Sequence, residues 1–229
     1  DFYCNFEKRA KKSDLTPYLI AIAKENCTDG YIIRAGDAVN FSIGQGDTLM
    51  TPMQMAVTYA AIGNGGTLWQ PWVARAIVSP TGKVVKEFQA KKVGKTEQTA
   101  SDTAFLRKAL RSVATSGTAA SVFAGFPVNV AGKTGTGQDL GRNKNGTAKD
   151  DTSWFASFAP AESPQYAVVM VVSQGGFGAS TSAVGVKEIY AELFGVVGNK
   201  VDPEKSAFPN GIPAGLPKLD VKNAKLEKK

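Results

Sequence analysis

The chain has 229 residues, of which 43% are hydrophobic and 21% are charged, so it can bury one sizeable core or two small ones. Nearly half of its net charge of +7 lies at one end, because residues 199–229 hold seven lysines against four acidic residues, a net +3. No basic stripe is interleaved with aromatic residues, so we do not expect nucleic-acid binding; the charge favours a solvated or membrane-surface role.

Two helix starts are evident in the first third of the chain. Thr16 as N-cap and Pro17 at the first helical position predict a short helix. Residues 51–54 (Thr-Pro-Met-Gln) form a capping box, and apolar residues follow at helical spacing to residue 62. Residues 64–66 (Asn-Gly-Gly) end this second helix.

A hairpin and a longer helix come next. Residues 72–78 and 83–88 predict a β-hairpin with a proline-glycine turn, and a helix is predicted from Ser101 to Gly117. The predicted buried positions of this helix are Phe105, Leu106, Ala109, Leu110 and Val113. Its predicted exposed positions are Arg107, Lys108 and Arg111.

The last third of the chain reads as strands followed by a helix. A β-prone run over residues 127–131 leads into a polar, glycine-rich loop at residues 137–152. Residues 153–159 and 166–172 predict antiparallel neighbouring strands, and we expect the second to be central because it is apolar throughout. A helix over residues 181–194 is predicted to cover the sheet.

The absence of histidine excludes several kinds of catalytic and metal site. A Ser-His-Asp triad, a Cys-His pair and most zinc sites need imidazole, so acid-base work must fall to Lys, Asp, Glu or Tyr. Asp150 and Asp151 lack other convergent carboxylates and are interpreted as a solvated loop end, so no metal and no cofactor is expected. Cys4 and Cys27 could pair in an oxidising compartment, but two cysteines do not define a disulfide framework.

Residues 131–136 (Ala-Gly-Lys-Thr-Gly-Thr) are the most informative stretch, since two chemistries use Gly-Lys-Thr. A phosphate-binding P-loop needs a glycine five residues before its Gly-Lys and a helix directly after it. Here Pro127 occupies the glycine position, and residues 137–146 have loop composition. The alternative, Lys-Thr-Gly on the edge of an antiparallel strand, as in serine acyl-transfer enzymes, fits better.

Several motifs in this order resemble one family. They are residues 36–47 (Gly-Asp-Ala-Val-Asn-Phe-Ser-Ile-Gly-Gln-Gly-Asp), 51–56 (Thr-Pro-Met-Gln-Met-Ala), 131–136 and the strand at 154–160. Together they resemble the transpeptidase domain of class B penicillin-binding proteins, nearest to the elongation-type enzymes, over residues 36–195. The tail after the last predicted helix resembles those of the actinobacterial members. The resemblance implies an α+β fold of the serine β-lactamase and penicillin-binding transpeptidase type, with an antiparallel sheet packed by helices.

One departure from the family pattern is large. The family places its nucleophile in Ser-x-x-Lys and a second motif in Ser-x-Asn, and neither pattern occurs in this chain. We therefore expect the C-terminal portion of a longer or cleaved enzyme that is inactive alone. This predicts an uncertain N-terminal segment at residues 1–35, the transpeptidase portion at 36–197 and a flexible Pro- and Lys-rich tail at 198–229.

The resemblance implies roles for the Lys-Thr-Gly-Thr residues. Lys133 would draw in the terminal carboxylate of the substrate and tune the serine proton relay, and Thr134 and Thr136 would offer it hydroxyl groups. The Thr136 backbone N–H would donate to the oxyanion, which makes Lys133 and Thr136 the catalytic residues in this chain. Gly135 would keep the strand edge open for substrate, although a bulge glycine would look the same.

Four further residues are candidates for lining the cleft. Gly44, Gln45 and Gly46 are expected to shape a turn against the site rather than to touch substrate. Trp154 is expected in the core or the pocket wall. The loop at residues 137–151 could be a mobile rim of the cleft.

The resemblance also implies a biological setting. The expected function is a peptidoglycan D,D-transpeptidase that cross-links stem peptides during cell-wall elongation and is a β-lactam target. Its expected partners are stem peptides, β-lactams, the missing part with Ser-x-x-Lys and Ser-x-Asn, and the elongation machinery in the membrane. It would lie on the outer face of the cytoplasmic membrane, anchored by a segment absent from this chain. A non-catalytic β-lactam sensor or a D-alanyl-D-alanine carboxypeptidase on the same fold is the alternative.

Overall fold

The computed structural model describes residues 3–12, 15–46, 48–139 and 141–210. Contacts divide the chain into two units, Asp1–Leu49 and Met50–Lys229. Residues 36–49, predicted to belong to the transpeptidase portion, thus group with the N-terminal segment. Residues 211–229, most of the predicted tail, lie outside the described part of the chain.

The N-terminal unit is helical, with α1 at Phe6–Arg9, α2 at Pro17–Asp29 and α3 at Ala35–Ser42. The predicted cap of α2 is confirmed, because the Thr16 side chain accepts a hydrogen bond from the Leu19 backbone N–H at 3.2 Å. A disulfide joins Cys4 to Cys27 and so ties α2 to the chain before α1. The pairing that the sequence left open is therefore present.

The C-terminal unit mixes helices and antiparallel strands, as the α+β prediction requires. Its helices are α4 at Pro52–Gly63, α5 at Ala100–Thr115, α6 at Ala120–Phe123 and α7 at Ser182–Phe194. Its strands are β1 at Thr67–Trp69, β2 at Ala76–Val78, β3 at Val84–Glu87, β4 at Lys92–Lys95, β5 at Ala131–Gly137, β6 at Thr152–Ala159, β7 at Tyr166–Val172, β8 at Val196–Val197 and β9 at Lys200–Val201. Among the described residues, no helix combines the length and the apolar character that crossing a membrane requires.

Local capping signals in the sequence set the helix starts. The capping box of α4 is confirmed: the Thr51 N–H donates to Gln54 Oε1 at 2.8 Å, and the Gln54 N–H donates to Thr51 Oγ1 at 3.2 Å. Helix α5 starts one residue earlier than predicted, because Thr99 rather than a later residue is its N-cap. Thr99 and Asp102 form a capping box at the start of α5. Hydrogen bonds from the Thr99 backbone and side chain lower the pKa of Asp102.

The main sheet has three strands in the order β5-β6-β7, all antiparallel. The middle strand is β6, so the prediction that residues 166–172 are central is wrong. Strand β7 is apolar because it packs against α4 and α7, not because it is flanked by strands. The prediction of a strand from Pro127 is also wrong, since β5 begins at Ala131.

Helices cover both faces of this sheet. On one face, Phe155 of β6 packs with Val186 and Tyr190 of α7. On the other face, Ala156 and Phe158 of β6 pack with Tyr59 of α4. The sheet that contains β5 therefore packs against one apolar cluster on each of its two faces.

Helix α5 presents only part of the predicted face to the core: Leu110 and Val113 pack against it as predicted, but other positions differ. Phe105 is 71% exposed and Ala109 is exposed, whereas Arg107 and Arg111 are half-buried. Arg107 donates to the carbonyl oxygens of Gly63 and Glu162, and Arg111 donates to Asn129 Oδ1 at 2.7 Å. A long arginine side chain can be partly buried while its guanidinium group reaches polar partners, which a pattern of apolar residues alone does not anticipate.

Two small hairpins complete the unit. The predicted hairpin is confirmed as β2 paired with β3. The pairing of β1 with β4 was not predicted, because strands of three and four residues are too short to show an alternating pattern. Regular structure continues past Gly198, where β8 pairs with β9 and a 3-10 turn covers Pro203–Lys205.

The buried phenol of Tyr59 provides a pH test of this core. Burial raises its pKa to about 12. An unfolded tyrosine ionises near pH 10, so from about pH 10 to about 12 ionisation stabilises only the unfolded chain, and the contribution of Tyr59 to stability is lost. We expect Tyr59→Phe to reduce the loss of unfolding free energy between about pH 9 and 11 by about 1 kcal/mol, measured by urea denaturation at both pH values. Tyr31→Phe, at an exposed position, should leave that loss unchanged; equal losses in the wild type and Tyr59→Phe would contradict the account.

Candidate active site

Strand β5 forms one edge of the main sheet. It pairs with β6 in an unbroken antiparallel ladder from Ala131 opposite Phe158 to Gly137 opposite Thr152. No strand among the described residues pairs with its other side. The backbone groups along that side are thus placed to meet an extended chain.

The residues of β5 alternate between the two faces of the sheet. Lys133 and Gly135 lie on the face that packs against α4, and the Lys133 side chain is exposed. Its Nζ donates to the Thr134 carbonyl oxygen at 2.8 Å. Thr134 and Thr136 lie on the opposite face and are half-buried.

The hydroxyl groups of both threonines contact turns outside the sheet. Thr134 Oγ1 lies 2.7 Å from Thr118 Oγ1, in the connection between α5 and α6. Thr136 Oγ1 accepts from the Gly178 N–H at 3.4 Å, in the connection between β7 and α7. The sequence interpretation did not single out Thr118 or Gly178; their only local signals were the Ser-Gly-Thr run that ends α5 and the glycine-rich run at 175–178.

The three glycines of β5 have different surroundings. A β-carbon on Gly132 would lie 2.7 Å from the Ala156 carbonyl oxygen and 2.8 Å from Ser157 Cβ, closer than real contacts allow. On Gly135 it would lie 3.1 Å from Trp154 Cβ, and on Gly137 its nearest neighbour would be 3.9 Å away. The ladder is regular at Gly135, so the interpretation of this residue as a bulge glycine is wrong.

The other predicted lining residues fall into two places. Trp154 is half-buried on β6 directly opposite Gly135, on the same face as Lys133. Gly44, Gln45 and Gly46 follow α3 in the N-terminal unit, and both glycines have positive φ, 74° and 90°. Positive φ agrees with the prediction that this run shapes a turn; a place for it beside the cleft stays a prediction.

The loop after β5 carries its own local contacts. Arg142 pairs with Ala148 in an isolated bridge, and Lys149 lies 3.2 Å from Asp139. The carbonyl oxygen of Asp151 accepts from the Gly176 N–H at 2.9 Å. Within the described ranges, no three His, Cys, Asp or Glu side chains are grouped so that they could hold a metal ion.

Residues 22–193 match the family described as the penicillin binding protein transpeptidase domain. The chain belongs to this family. Lys133, Thr134, Gly135 and Thr136 therefore lie inside the matched transpeptidase domain, as do Gly44, Gln45, Gly46 and Trp154.

Curated relatives agree with the transpeptidase assignment. The chain is 33% identical to penicillin-binding protein 2A of Bacillus subtilis over 147 residues, which is 60% of this chain and 20% of that protein. It is 29% identical to the peptidoglycan D,D-transpeptidase PbpA of Mycolicibacterium smegmatis over 169 residues, 71% of this chain and 32% of that protein. The chain thus spans a third or less of the length of these relatives.

A solved structure supports the fold. The crystal structure of Pseudomonas aeruginosa PBP2 in complex with WCK 5153 resembles this chain with a TM-score of 0.61 and 26% identity. The likeness covers 79% of this chain and 37% of that one. The predicted penicillin-binding transpeptidase fold, present here as a partial domain, is therefore confirmed.

The crowding at Gly132 predicts a position-specific effect within the transpeptidase strand. Gly132→Ala should destabilise the protein by about 1–3 kcal/mol, because backbone and buried atoms of β6 must move to admit a methyl group. Gly137→Ala adds the same methyl group to the same strand at ordinary van der Waals distance from its nearest neighbour, so it should change stability by less than about 0.5 kcal/mol. Thermal unfolding of both variants measures this, and equal destabilisation would contradict the close approach of β5 to β6.

Proposed function

We propose that this chain supplies one wall of the active site of a peptidoglycan D,D-transpeptidase that works through an acyl-serine intermediate. The observation that carries the proposal is the Lys-Thr-Gly-Thr run on an edge strand, with Lys133 exposed on one face and two positioned threonine hydroxyl groups on the other. A penicillin-binding transpeptidase domain needs these groups on an edge, because the substrate is a peptide that lies along the strand.

Charge and hydrogen bonding along β5 would recognise the end of the stem peptide. The ammonium group of Lys133 would attract the terminal carboxylate of D-alanyl-D-alanine, and the hydroxyl groups of Thr134 and Thr136 would donate to it. The Thr136 backbone N–H would donate to the oxygen that becomes negative when the serine attacks. Gly135 leaves the strand without a side chain between these groups.

The nucleophile would come from outside this chain, which holds neither Ser-x-x-Lys nor Ser-x-Asn. The serine oxygen would attack the carbonyl carbon of the penultimate D-alanine and expel the terminal D-alanine as an amine that takes up a proton. An amine of a neighbouring stem peptide would then attack the ester, release the serine and form the cross-link. On this account the chain alone is inactive, and the reaction needs no cofactor.

The setting proposed is the outer face of the cytoplasmic membrane, with an anchor outside this chain and the elongation machinery as partner. The disulfide between Cys4 and Cys27 supports an oxidising compartment, where such bonds persist. β-Lactams are the proposed inhibitors, because they would acylate the same serine.

Lys133 gives the sharpest test. In the complete protein, Lys133→Ala should slow acylation by a fluorescent penicillin on the order of 100-fold, as expected when the charged partner of the substrate carboxylate is removed. Its melting temperature should stay unchanged because the side chain is exposed. Lys149→Ala, which removes a lysine from the neighbouring loop, is the matched control and should acylate normally.

Acylation that survives Lys133→Ala would contradict the role assigned to β5. An assay of stem-peptide cross-linking separates the related functions: a sensor would acylate without turnover, and a carboxypeptidase would release D-alanine without joining peptides.

The contact between Thr118 and Thr134 predicts a smaller effect. Thr118→Val removes the hydroxyl group that lies 2.7 Å from Thr134 Oγ1, so penicillin acylation should slow about fivefold, the equivalent of one neutral hydrogen bond. Thr115→Val, three residues earlier and bonded only within α5 in the described contacts, should have no effect on acylation. Equal rates in the two variants would show that Thr118 does not orient Thr134.

A further inference from the structure

Ser153 lies fully buried on β6, directly across the ladder from Thr136. Its hydroxyl group lies 2.8 Å from Ser182 Oγ, donates to the Phe177 carbonyl oxygen at 3.2 Å and accepts from the Ser182 N–H at 3.2 Å. Ser182 is the first residue of α7. One hydroxyl group therefore joins the middle strand, the start of α7 and the connection that precedes it.

We call that connection, residues 173–181, the β7–α7 turn. Thr181 Oγ1 donates to the Gly175 carbonyl oxygen at 2.7 Å, and the Gly176 N–H donates to the Asp151 carbonyl oxygen at 2.9 Å. These bonds close the turn on itself and join it to the chain just before β6. Ser153 joins the turn to β6, because its hydroxyl group donates to the Phe177 carbonyl oxygen.

The β7–α7 turn lies against the end of the Lys-Thr-Gly-Thr run. Gly178 is buried, and a β-carbon on it would collide with the Trp154 and Gly135 carbonyl oxygens. Its N–H points at Thr136 Oγ1. The backbone of Gly178 therefore contacts two of the residues proposed to meet substrate, and only glycine fits there.

We propose that Ser153 and Ser182 are positioning residues for substrate binding: they hold the β7–α7 turn so that the Gly178 N–H fixes the side chain of Thr136. The inference rests on the proposed function of Thr136. Neither serine touches substrate, and both act through Phe177 and Gly178. A purely structural role would affect stability only, whereas a positioning role affects acylation beyond any loss of stability.

Ser157 offers a matched control on the same strand. It is also fully buried on β6, it donates to the Val168 carbonyl oxygen at 2.9 Å, and it lies 3.0 Å from Tyr190 Oη of α7. It pairs across the ladder with Gly132, one position before Lys133, and neither of these two hydrogen bonds involves the β7–α7 turn. Ser157→Ala thus removes a comparable buried hydroxyl group and leaves the turn untouched.

Hydrogen exchange of the complete protein tests the structural link without any activity. Ser153→Ala should accelerate amide exchange at Gly178 and Gly176 about tenfold or more relative to the wild type, while Ser157→Ala should not. Unchanged exchange at Gly178 in Ser153→Ala would overturn the inference.

Acylation by penicillin tests the consequence. Ser153→Ala and Ser182→Ala should each slow acylation about tenfold, and the double variant should be little slower than either single one because both act on the same turn. Ser157→Ala, with a similar fall in melting temperature, should acylate at close to the wild-type rate. A rate loss in Ser157→Ala equal to that in Ser153→Ala would overturn positioning in favour of general destabilisation.

Acylation of the wild-type protein distinguishes failure of the proposed function from failure of the positioning inference. A wild-type protein that no penicillin acylates would overturn the proposed function together with the role of these serines in it. A wild-type protein that acylates, with Ser153→Ala acylating equally fast, would overturn the positioning inference alone.

Discussion

The candidate site depends on one-sided pairing of β5. Close approach of Gly132 to the backbone of β6 sets the register from Ala131 to Gly137, and this register decides which side chains reach which face. Shifting the strand by one residue would exchange the face of Lys133 with that of Thr134. Because β5 is bonded on one side only among the described residues, its other side can pair with an extended chain, such as the proposed peptide substrate, without breaking the sheet.

The hydroxyl groups inside the core give the sheet its second constraint. Strand β6 places Ser153 and Ser157 on the face covered by α7, and each hydroxyl group finds partners on that helix. A buried hydroxyl group without a partner would cost about 1–3 kcal/mol, so these pairs favour one rotation and one height of α7 over the sheet. Ser182, the first residue of that helix, adjoins the turn that contacts Thr136, so the pair of Ser153 and Ser182 links this part of the core to the geometry of the edge.

Local signals made part of this structure predictable. The capping box at Thr51 and Gln54 is confirmed because all of its bonds form within four residues. The Lys-Thr-Gly-Thr run lies on an antiparallel strand, as predicted, although residues 127–130 before it do not. The central position of β7 was predicted wrongly, since an apolar run has the same sequence pattern whether strands or helices cover it. The partial burial of Arg107 was not predicted, because its guanidinium group donates to carbonyl oxygens of Gly63 and Glu162, which lie far away in the sequence.

The contacts that orient the site residues were also beyond sequence reasoning. Thr118 and Gly178 reach Thr134 and Thr136 only through the fold, and nothing in their local sequence distinguishes them from ordinary turn residues. Sequence motifs thus identified the groups proposed to meet substrate. The turns that hold those groups emerged from the packing of α5 and α7 against the sheet.

We propose that the edge of β5 binds the carboxylate end of the substrate. A crystal structure of the complete protein acylated by a penicillin would test this. We expect the penicillin-derived carboxylate within about 3 Å of the Thr134 and Thr136 hydroxyl groups, and the acyl carbonyl oxygen accepting from the Thr136 N–H. A carboxylate bound away from β5, or an acyl carbonyl oxygen without that N–H, would contradict it.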